Sequence, residues 1–341
     1  LPKVNHNINP SYKKSPFKTY TIEECIQGIK SRNSAIVSYL ISKAESHLPK
    51  DQKMVAEVLS TLQDTGHSRV IAISGSPGVG KSTYINSIAH HLSNQNHTVA
   101  VLPVDPSSAI SRGSILGDKT RMEDIVSSDK VYIKPMPSSL SIGGVAPASY
   151  LATYICKLAA FDYIFIETVG VGQSEYEARH MADLFLLLLQ PGGGDDLQGI
   201  KRGIMEMADM LIIHKADGAH LQNAQMSLQA YNQALKLILP NAYNWKASSA
   251  LYSSVTHEQS QDMEKLIDEY YNYMDDQGRL SSLRKQQRID YFDRHYRSVI
   301  LRKINTSSKL TNAIDQLRSE IESNTITPFA ALQEVESIVE R

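Results

Sequence analysis

The chain has 341 residues, 42% of them hydrophobic, enough for one large domain with additions or for two domains with a sizeable core. Its net charge of -1 argues against an electrostatic nucleic-acid binder. Two cysteines, Cys25 and Cys156, stand too far apart for a metal-ligand pattern; they read as buried thiols suited to a reducing compartment.

The first residue is Leu1 and not Met, so the expectation is a natural start further upstream, together with any cleaved targeting segment. Residues 1 to about 20 are polar and carry Pro2, Pro10 and Pro16, the composition of a flexible or draped tail. Thr21-Ile22-Glu23-Glu24 has the form of a capping box, with Thr21 as N-cap. Helical spacing then runs with breaks to about Leu62 through Ile22, Cys25, Ile26 and Ile29, then Ile36, Val37, Leu40 and Ile41, then Met54, Val55, Val58 and Leu59.

Apolar runs bounded by turn residues predict strands over 70–74, 98–102, 131–133, 163–167, 184–189 and 210–214. The run at 184–189 is far too short to span a bilayer and reads as a core strand. Helical stretches are predicted over 81–93, 148–160 and 221–239, the last stopping at Pro240. Alternating strands and helices imply a parallel sheet covered on both faces. In such sheets ligands bind at the C-terminal strand ends. From about Gln277 the pattern is purely helical. Ile289, Phe292, Tyr296, Val299 and Ile300 form one apolar stripe, with Arg284, Lys285, Arg288, Arg294 and Arg297 among and beside them. A last helix is predicted from Thr327-Pro328, with Pro328 at its first position. The pattern leaves two readings open for this end: an extension packed on its own domain, or a dimerisation arm.

One stretch organises the chain. Gly75-Ser76-Pro77-Gly78-Val79-Gly80-Lys81-Ser82-Thr83 matches G-x-x-x-x-G-K-[ST] and sits between a predicted strand and a predicted helix, the context that this phosphate-binding loop requires. Successive N–H groups and the helix N-terminus would face a polyphosphate. Lys81 would reach the β- and γ-phosphates, and Ser82 would hold Mg²⁺. Three acids follow. Asp105 lies just past a strand, Asp118 sits in Gly117-Asp118-Lys119, and Glu167 ends a strand. A carboxylate there suits support of a nucleotide-bound Mg²⁺; turn formation and helix capping are the other readings for Asp105 and Asp118. Glu167-Thr168-Val169-Gly170 resembles the D-x-x-G switch of GTP-binding proteins with Glu for Asp, and the N–H of Gly170 could sense a γ-phosphate. Gln173 reads as a polar loop residue, although it could orient a water. Residues 190–203 combine glycines with Asp195 and Asp196 directly after a buried strand and read as a mobile loop near the nucleotide. His214-Lys215-Ala216-Asp217 resembles the base-reading N-K-x-D, since a carboxylate at Asp217 can accept from two guanine donors that adenine lacks. Ser253-Ser254 resembles the Ser-Ala that supports guanine in such proteins.

The whole set resembles the mutase-chaperone GTPases: the bacterial methylmalonyl-CoA mutase chaperones and their mitochondrial counterpart, the methylmalonic aciduria type A protein. The residues that carry the likeness are 75–83, 104–108, 113–122, 142–145, 167–175, 190–203 and 215–218, in order across most of the central domain. Asp118-Lys119-Thr120-Arg121-Met122 and Leu197-Gln198-Gly199-Ile200-Lys201-Arg202-Gly203 are long and specific matches. The resemblance implies an α/β fold: a P-loop GTPase domain with a mostly parallel central sheet at 67–276, an N-terminal tail and helices at 1–66, and a C-terminal helical dimerisation arm at 277–341. It implies GTP hydrolysis by a homodimer that binds methylmalonyl-CoA mutase, gates adenosylcobalamin delivery and protects or reactivates that enzyme. It assigns Gly78, Val79, Gly80, Lys81, Ser82, Thr83 and Gly170 to the phosphates. Ser82, Asp105, Asp118 and Glu167 go to Mg²⁺ and its waters, with Lys81, Asp105 and Glu167 the catalytic set. His214, Lys215, Asp217, Ser253 and Ser254 go to guanine, and Asp195, Asp196 and Lys201 to a loop that couples nucleotide state to the mutase. A mitochondrial matrix location follows if the source is eukaryotic, a bacterial cytoplasm otherwise.

Two departures stand out. His214 replaces the usual Asn and cannot copy its amide geometry, so guanine affinity is expected to fall while the Asp217 preference persists. Ser254 replaces Ala. With no convincing general base and no arginine finger, intrinsic turnover is expected to be slow and accelerated by the partner. Rival readings are a nickel-insertion GTPase, which would carry His-rich or Cys/His motifs absent here; a small-molecule kinase, which lacks an identifiable acceptor site; and a nucleotide-dependent scaffold with negligible hydrolysis.

Overall fold

The computed structural model describes residues 18–46, 48–105, 125, 128–137, 147–168, 173–192, 202–305, 308–323 and 325–339. Three short helices come first, α1 (Ile22–Lys30), α2 (Ser34–Ala44) and α3 (Pro49–Thr61). The capping box at α1 is present in full: Thr21 Oγ1 accepts from Glu24 N at 3.2 Å, and Glu24 Oε2 accepts from Thr21 N at 2.7 Å. Asn33 caps α2 by accepting from Ala35 N and Ile36 N, and Pro49 opens α3.

Eight strands form one sheet: β1 (Arg69–Gly75), β2 (Val99–Asp105), β3 (Val131–Ile133), β4 (Met136–Pro137), β5 (Tyr163–Glu167), β6 (Leu184–Leu189), β7 (Met210–His214) and β8 (Ser248–Tyr252). Seven run in the order β3-β2-β5-β1-β6-β7-β8, with β4 paired to β2. Every pairing is parallel. The chain leaves β1 for β2 on one side and later enters β6 on the other, so the crevice at the C-terminal end of β1 is the switch point where such sheets bind ligands. The central strands are buried on both faces, which explains their unbroken apolar runs. Alternate residues still part company. Val70 and Ala72 pack with α1, α2 and α3, with α5 (Pro147–Leu158) and with α8 (Leu221–Leu235). Ile71 and Ile73 pack with α4 (Lys81–Asn94) and α9 (Ser260–Asp275). Both cysteines are free and buried.

Two boundaries and one strand depart from expectation. β2 runs past 102 because Pro103 still pairs with Glu167 and Asp105 then pairs with Pro137. Asp105 therefore closes the strand and does not follow it. α8 ends at Leu235 and not near 239, where shorter-range bonds such as Leu237 N to Ala234 O tighten the last turn. β8 was not among the predicted strands, because only Tyr252 in it is fully buried and its start is Ser248-Ser249.

Two further helices, α6 (Gln173–Met181) and α7 (Arg202–Met207), flank β6. After α9, Gln277 at φ 56° breaks the helix. The chain then continues as α10 (Arg279–Asn305), α11 (Ser308–Glu322) and α12 (Pro328–Val339). Among the described residues no helix is long and apolar enough to cross a membrane.

Candidate nucleotide-binding site

β1 delivers the chain to the loop at Gly75, and α4 starts at Lys81. Gly80 joins them at φ 99°, in the left-handed region. Space requires glycine there as well: a Cβ on Gly80 would stand 2.7 Å from the His214 ring. Lys81 is buried, and its Nζ donates to Gly75 O at 2.8 Å and Ser76 O at 3.3 Å. Burial pushes its pKa below the ordinary 10.5, against the pull of Glu167 and Glu175. An arriving polyphosphate offers this ammonium charged acceptors, stronger than two neutral carbonyls. Thr83 is exposed in the first turn of α4.

Strands β1 and β5 are neighbours in register, Ile73 beside Glu167. This brings the end of β5 against the start of α4, where Ser82 Oγ donates to Glu167 Oε1 at 2.7 Å. A hydroxyl and a carboxylate are hard oxygen donors, the kind that Mg²⁺ takes, and Mg²⁺ needs only one or two of them beside water and phosphate oxygens. The donor set fits that ion.

The base side is built where β7 and β8 end together. His214 is buried, and its Nδ1 lies 2.8 Å from Val79 O. A carbonyl only accepts, so Nδ1 carries the proton; Nε2 then accepts from Ser254 Oγ at 2.8 Å. Burial holds this imidazole below its ordinary 6.5. Lys215, at φ 60°, donates from Nζ to Gly78 O at 2.9 Å. Ser253 Oγ donates to Asp217 Oδ2 at 2.5 Å and accepts from Val255 N and Thr256 N. The carboxylate that would meet a base is thus fixed from behind, and Asp217 Oδ1 makes no bond with a described residue.

The structure therefore brings together Gly78, Val79, Gly80, Lys81, Ser82, Glu167, His214, Lys215, Asp217, Ser253 and Ser254. It gives the two serines different tasks, Ser253 on Asp217 and Ser254 on His214. The Asp105 backbone closes β2; its side chain, the Gln173 side chain, Asp118, Gly170, Asp195, Asp196 and Lys201 lie outside the described residues. Two features were missed in the sequence. Glu175, buried in the first turn of α6, acts electrostatically on Lys81. Ser87 Oγ lies 2.7 Å from Tyr252 OH and 2.6 Å from His257 Nδ1, and Tyr252 OH lies 3.0 Å from Ser260 Oγ. This network ties α4 to the base loop. Its one sequence signal is a polar residue at 87 between Ile85 and Ile88.

A parallel sheet with a phosphate loop after its central strand, a serine-carboxylate pair and a braced base loop defines a P-loop nucleotide hydrolase. The family model described as Methylmalonyl Co-A mutase-associated GTPase MeaB matches residues 37–309. A probable GTPase of Mycobacterium tuberculosis is 33% identical over 92% of this chain and 94% of its own length. GTPase ArgK of Escherichia coli is 31% identical over 94% and 97%. A mitochondrial methylmalonic aciduria type A homolog of Caenorhabditis elegans is 34% identical over 92% and 81%. A crystal structure of a LAO/AO transport system kinase shares the fold, with a TM-score of 0.72, 24% identity and coverage of 96% and 100%. The chain belongs to the MeaB family of GTPases. It is a GTP hydrolase and binds guanine nucleotides, related to the methylmalonic aciduria type A proteins.

Proposed function

We propose that this GTPase serves adenosylcobalamin-dependent methylmalonyl-CoA mutase, gating delivery of the cofactor and protecting or reactivating the enzyme. The observation that carries this reading is the family match over residues 37–309, whose name associates such GTPases with that mutase. The metallochaperone alternative draws no support from the described residues, in which no group of three or more His, Cys, Asp or Glu side chains is placed to hold a metal.

In the proposed reaction water attacks the γ-phosphate of GTP, and the chain supplies position and charge. Lys81 leaves the Gly75 and Ser76 carbonyls for the β- and γ-phosphates. Ser82 and Glu167, with Asp105 and Asp118, would hold Mg²⁺ and its waters; the ion when bound neutralises phosphate charge. Asp217, held by Ser253, accepts from guanine, while Lys215 and His214 fix the base loop to the phosphate loop. Gly170 senses the γ-phosphate, and the loop with Asp195, Asp196 and Lys201 reports to the mutase. The chain acts as a homodimer through its C-terminal helices, in the mitochondrial matrix or a bacterial cytoplasm according to source. The three-part division at 1–66, 67–276 and 277–341 belongs to the same reading.

The test is co-purification with the mutase, loaded with GDP or with a non-hydrolysable GTP analogue, together with single-turnover hydrolysis with and without the mutase. Nucleotide-dependent capture and faster hydrolysis in the complex are expected. No capture in either state rejects the client; equal rates reject activation by it.

A further inference from the structure

The opposite end of the sheet carries a second polar cleft. It is a shallow cleft, open to solvent, between α5, α10 and the connection from α3 to β1. Lys157, Tyr150 and Tyr154 come from α5, Arg288 from α10 and Asp64 from the connection. Beside it the carboxylate of Asp183, which directly precedes β6, accepts from Arg284 Nε at 2.9 Å and Nη2 at 2.8 Å. Arg284 also donates to Ser68 O, just ahead of β1. The cleft thus lies at the N-terminal strand ends, roughly 20 Å from the phosphate loop by the length of β1.

Its donors are in surplus. Among the described residues the side chains of Lys157, Arg288, Tyr150 and Tyr154 make no hydrogen bond or ion pair. Burial holds both phenols above their ordinary 10, so they are donors near neutral pH. Arg284 already spends four of its five N–H groups on Asp183 and the carbonyls of Gly66 and Ser68. Asp64 is the one carboxylate of the lining, and its Oδ1 accepts from Gly66 N at 2.9 Å; it forms no ion pair with either cation. Burial disfavours the Lys157 ammonium and the nearby Asp183 and Asp64 carboxylates favour it, yet neither carboxylate bonds it directly; an anion that accepts from its Nζ would complete it.

We propose that Lys157 and Arg288, with the Tyr150 and Tyr154 hydroxyls, form a binding site for a small dianionic oxyanion group, a phosphate or a dicarboxylate, remote from the nucleotide. The donor geometry suits an acceptor-only ligand, and with Arg284 paired to Asp183 the two cations outweigh the single Asp64 carboxylate, which leaves the cleft net positive toward it. The ligand would join α5 to α10, two elements already linked by the Tyr150–Tyr291 ring stack at 3.8 Å, and so fasten the C-terminal helices to the sheet.

The protein is first loaded with GDP and Mg²⁺, so that the phosphate loop is filled, and is then titrated calorimetrically with inorganic phosphate and, separately, with malonate. Saturable binding of one or both is expected, weakened about tenfold in Arg288→Ala or Lys157→Met. Arg288 is exposed, so its replacement leaves the fold intact, as circular dichroism checks. Phosphate binding alone identifies a phosphate group as the ligand; malonate alone identifies a dicarboxylate. If neither anion binds by about 10 mM, or if both variants bind like the parent, the site is rejected. GDP retention is monitored throughout, so the result is independent of any effect on the mutase.

Discussion

His214 stands where a base-reading asparagine is usual, and its two ring nitrogens face two different loops. Nδ1–H holds the phosphate loop through Val79 O, and Nε2 takes the Ser254 hydroxyl, with Tyr84 edge-on to the ring. The motif at 214–217 was legible because spacing alone fixes a strand-end position. The direction of the ring was not, since it depends on Ser254 arriving from β8, whose residues carry no strong strand pattern. His214→Ala leaves Val79 O and Ser254 without partners and is expected to cost about 1–3 kcal/mol of stability, whereas His214→Asn, which can still donate to Val79 O, costs less. The same ring gives a pH dependence. Its folded pKa is depressed below 6.5 by burial, so the unfolded chain takes up the proton first. The contribution is full above 6.5 and is lost as pH falls from there through the lower folded value. His180, likewise depressed by burial, acts in the same direction. Urea unfolding at about pH 7.5 and about pH 5.5 is expected to show lower stability in acid, with a smaller difference in His214→Asn. An unchanged difference would assign the effect elsewhere.

At the level of elements, local chemistry was readable wherever a signal lies within a few residues. The Thr21 capping box, Pro328 at the start of α12 and the six apolar strands all have short-range patterns. The elements that were missed depend on distant partners. β4 exists because Met136 and Pro137 meet the end of β2, and β8 because its backbone pairs with β7. The join between α10 and the sheet is of the same kind. Arg284 reads in sequence as one of several surface basic residues, yet it is buried against Asp183, which is fully enclosed and also accepts from Val70 N at 3.0 Å. The carboxyl is held below its ordinary 3.8 by Lys157, Arg284 and the Val70 N–H, all acting against burial. Arg284→Leu strands that charge in the core and is expected to cost about 3–5 kcal/mol. Replacing both partners, Arg284→Leu with Asp183→Asn, is expected to recover part of the loss. Equilibrium unfolding of the three proteins checks this; a single variant as stable as the parent would show that the pair bears no load.

For the molecule as a whole, the apolar residues divide into two groups. Those of the sheet are enclosed and the covering helices expose only scattered ones such as Tyr176 and Met226, whereas Ile289, Phe292, Val299 and Ile300 of α10 and Phe329 and Leu332 of α12 are exposed, Phe292 at 65% and Phe329 at 83%. Single exposed apolar side chains are ordinary, but a row along a 27-residue helix, about 40 Å long, offers a self-complementary surface of the length a two-fold interface uses. The stripe was legible as spacing; whether the same chain covers it was not, because folding back depends on helix directions that periodicity does not encode. Among the described residues nothing covers the stripe, which favours the dimer proposed above over an intramolecular extension. Placing a charge at its centre separates the two readings. Phe292→Asp costs little in a monomer, where the side chain already meets water. In a dimer it buries an unpaired carboxylate and is expected to weaken association by at least about 100-fold. Light scattering behind size exclusion, across a range of protein concentrations, reads the mass directly. The parent is expected at twice the chain mass and the variant at the chain mass, with GTP hydrolysis by the isolated protein unchanged, because the described partners of the phosphate loop lie at the ends of β1, β5 and β7 and none on α10. A parent that runs as a monomer at every concentration would return the stripe to another occupant, and the mutase would then be the first to test against it.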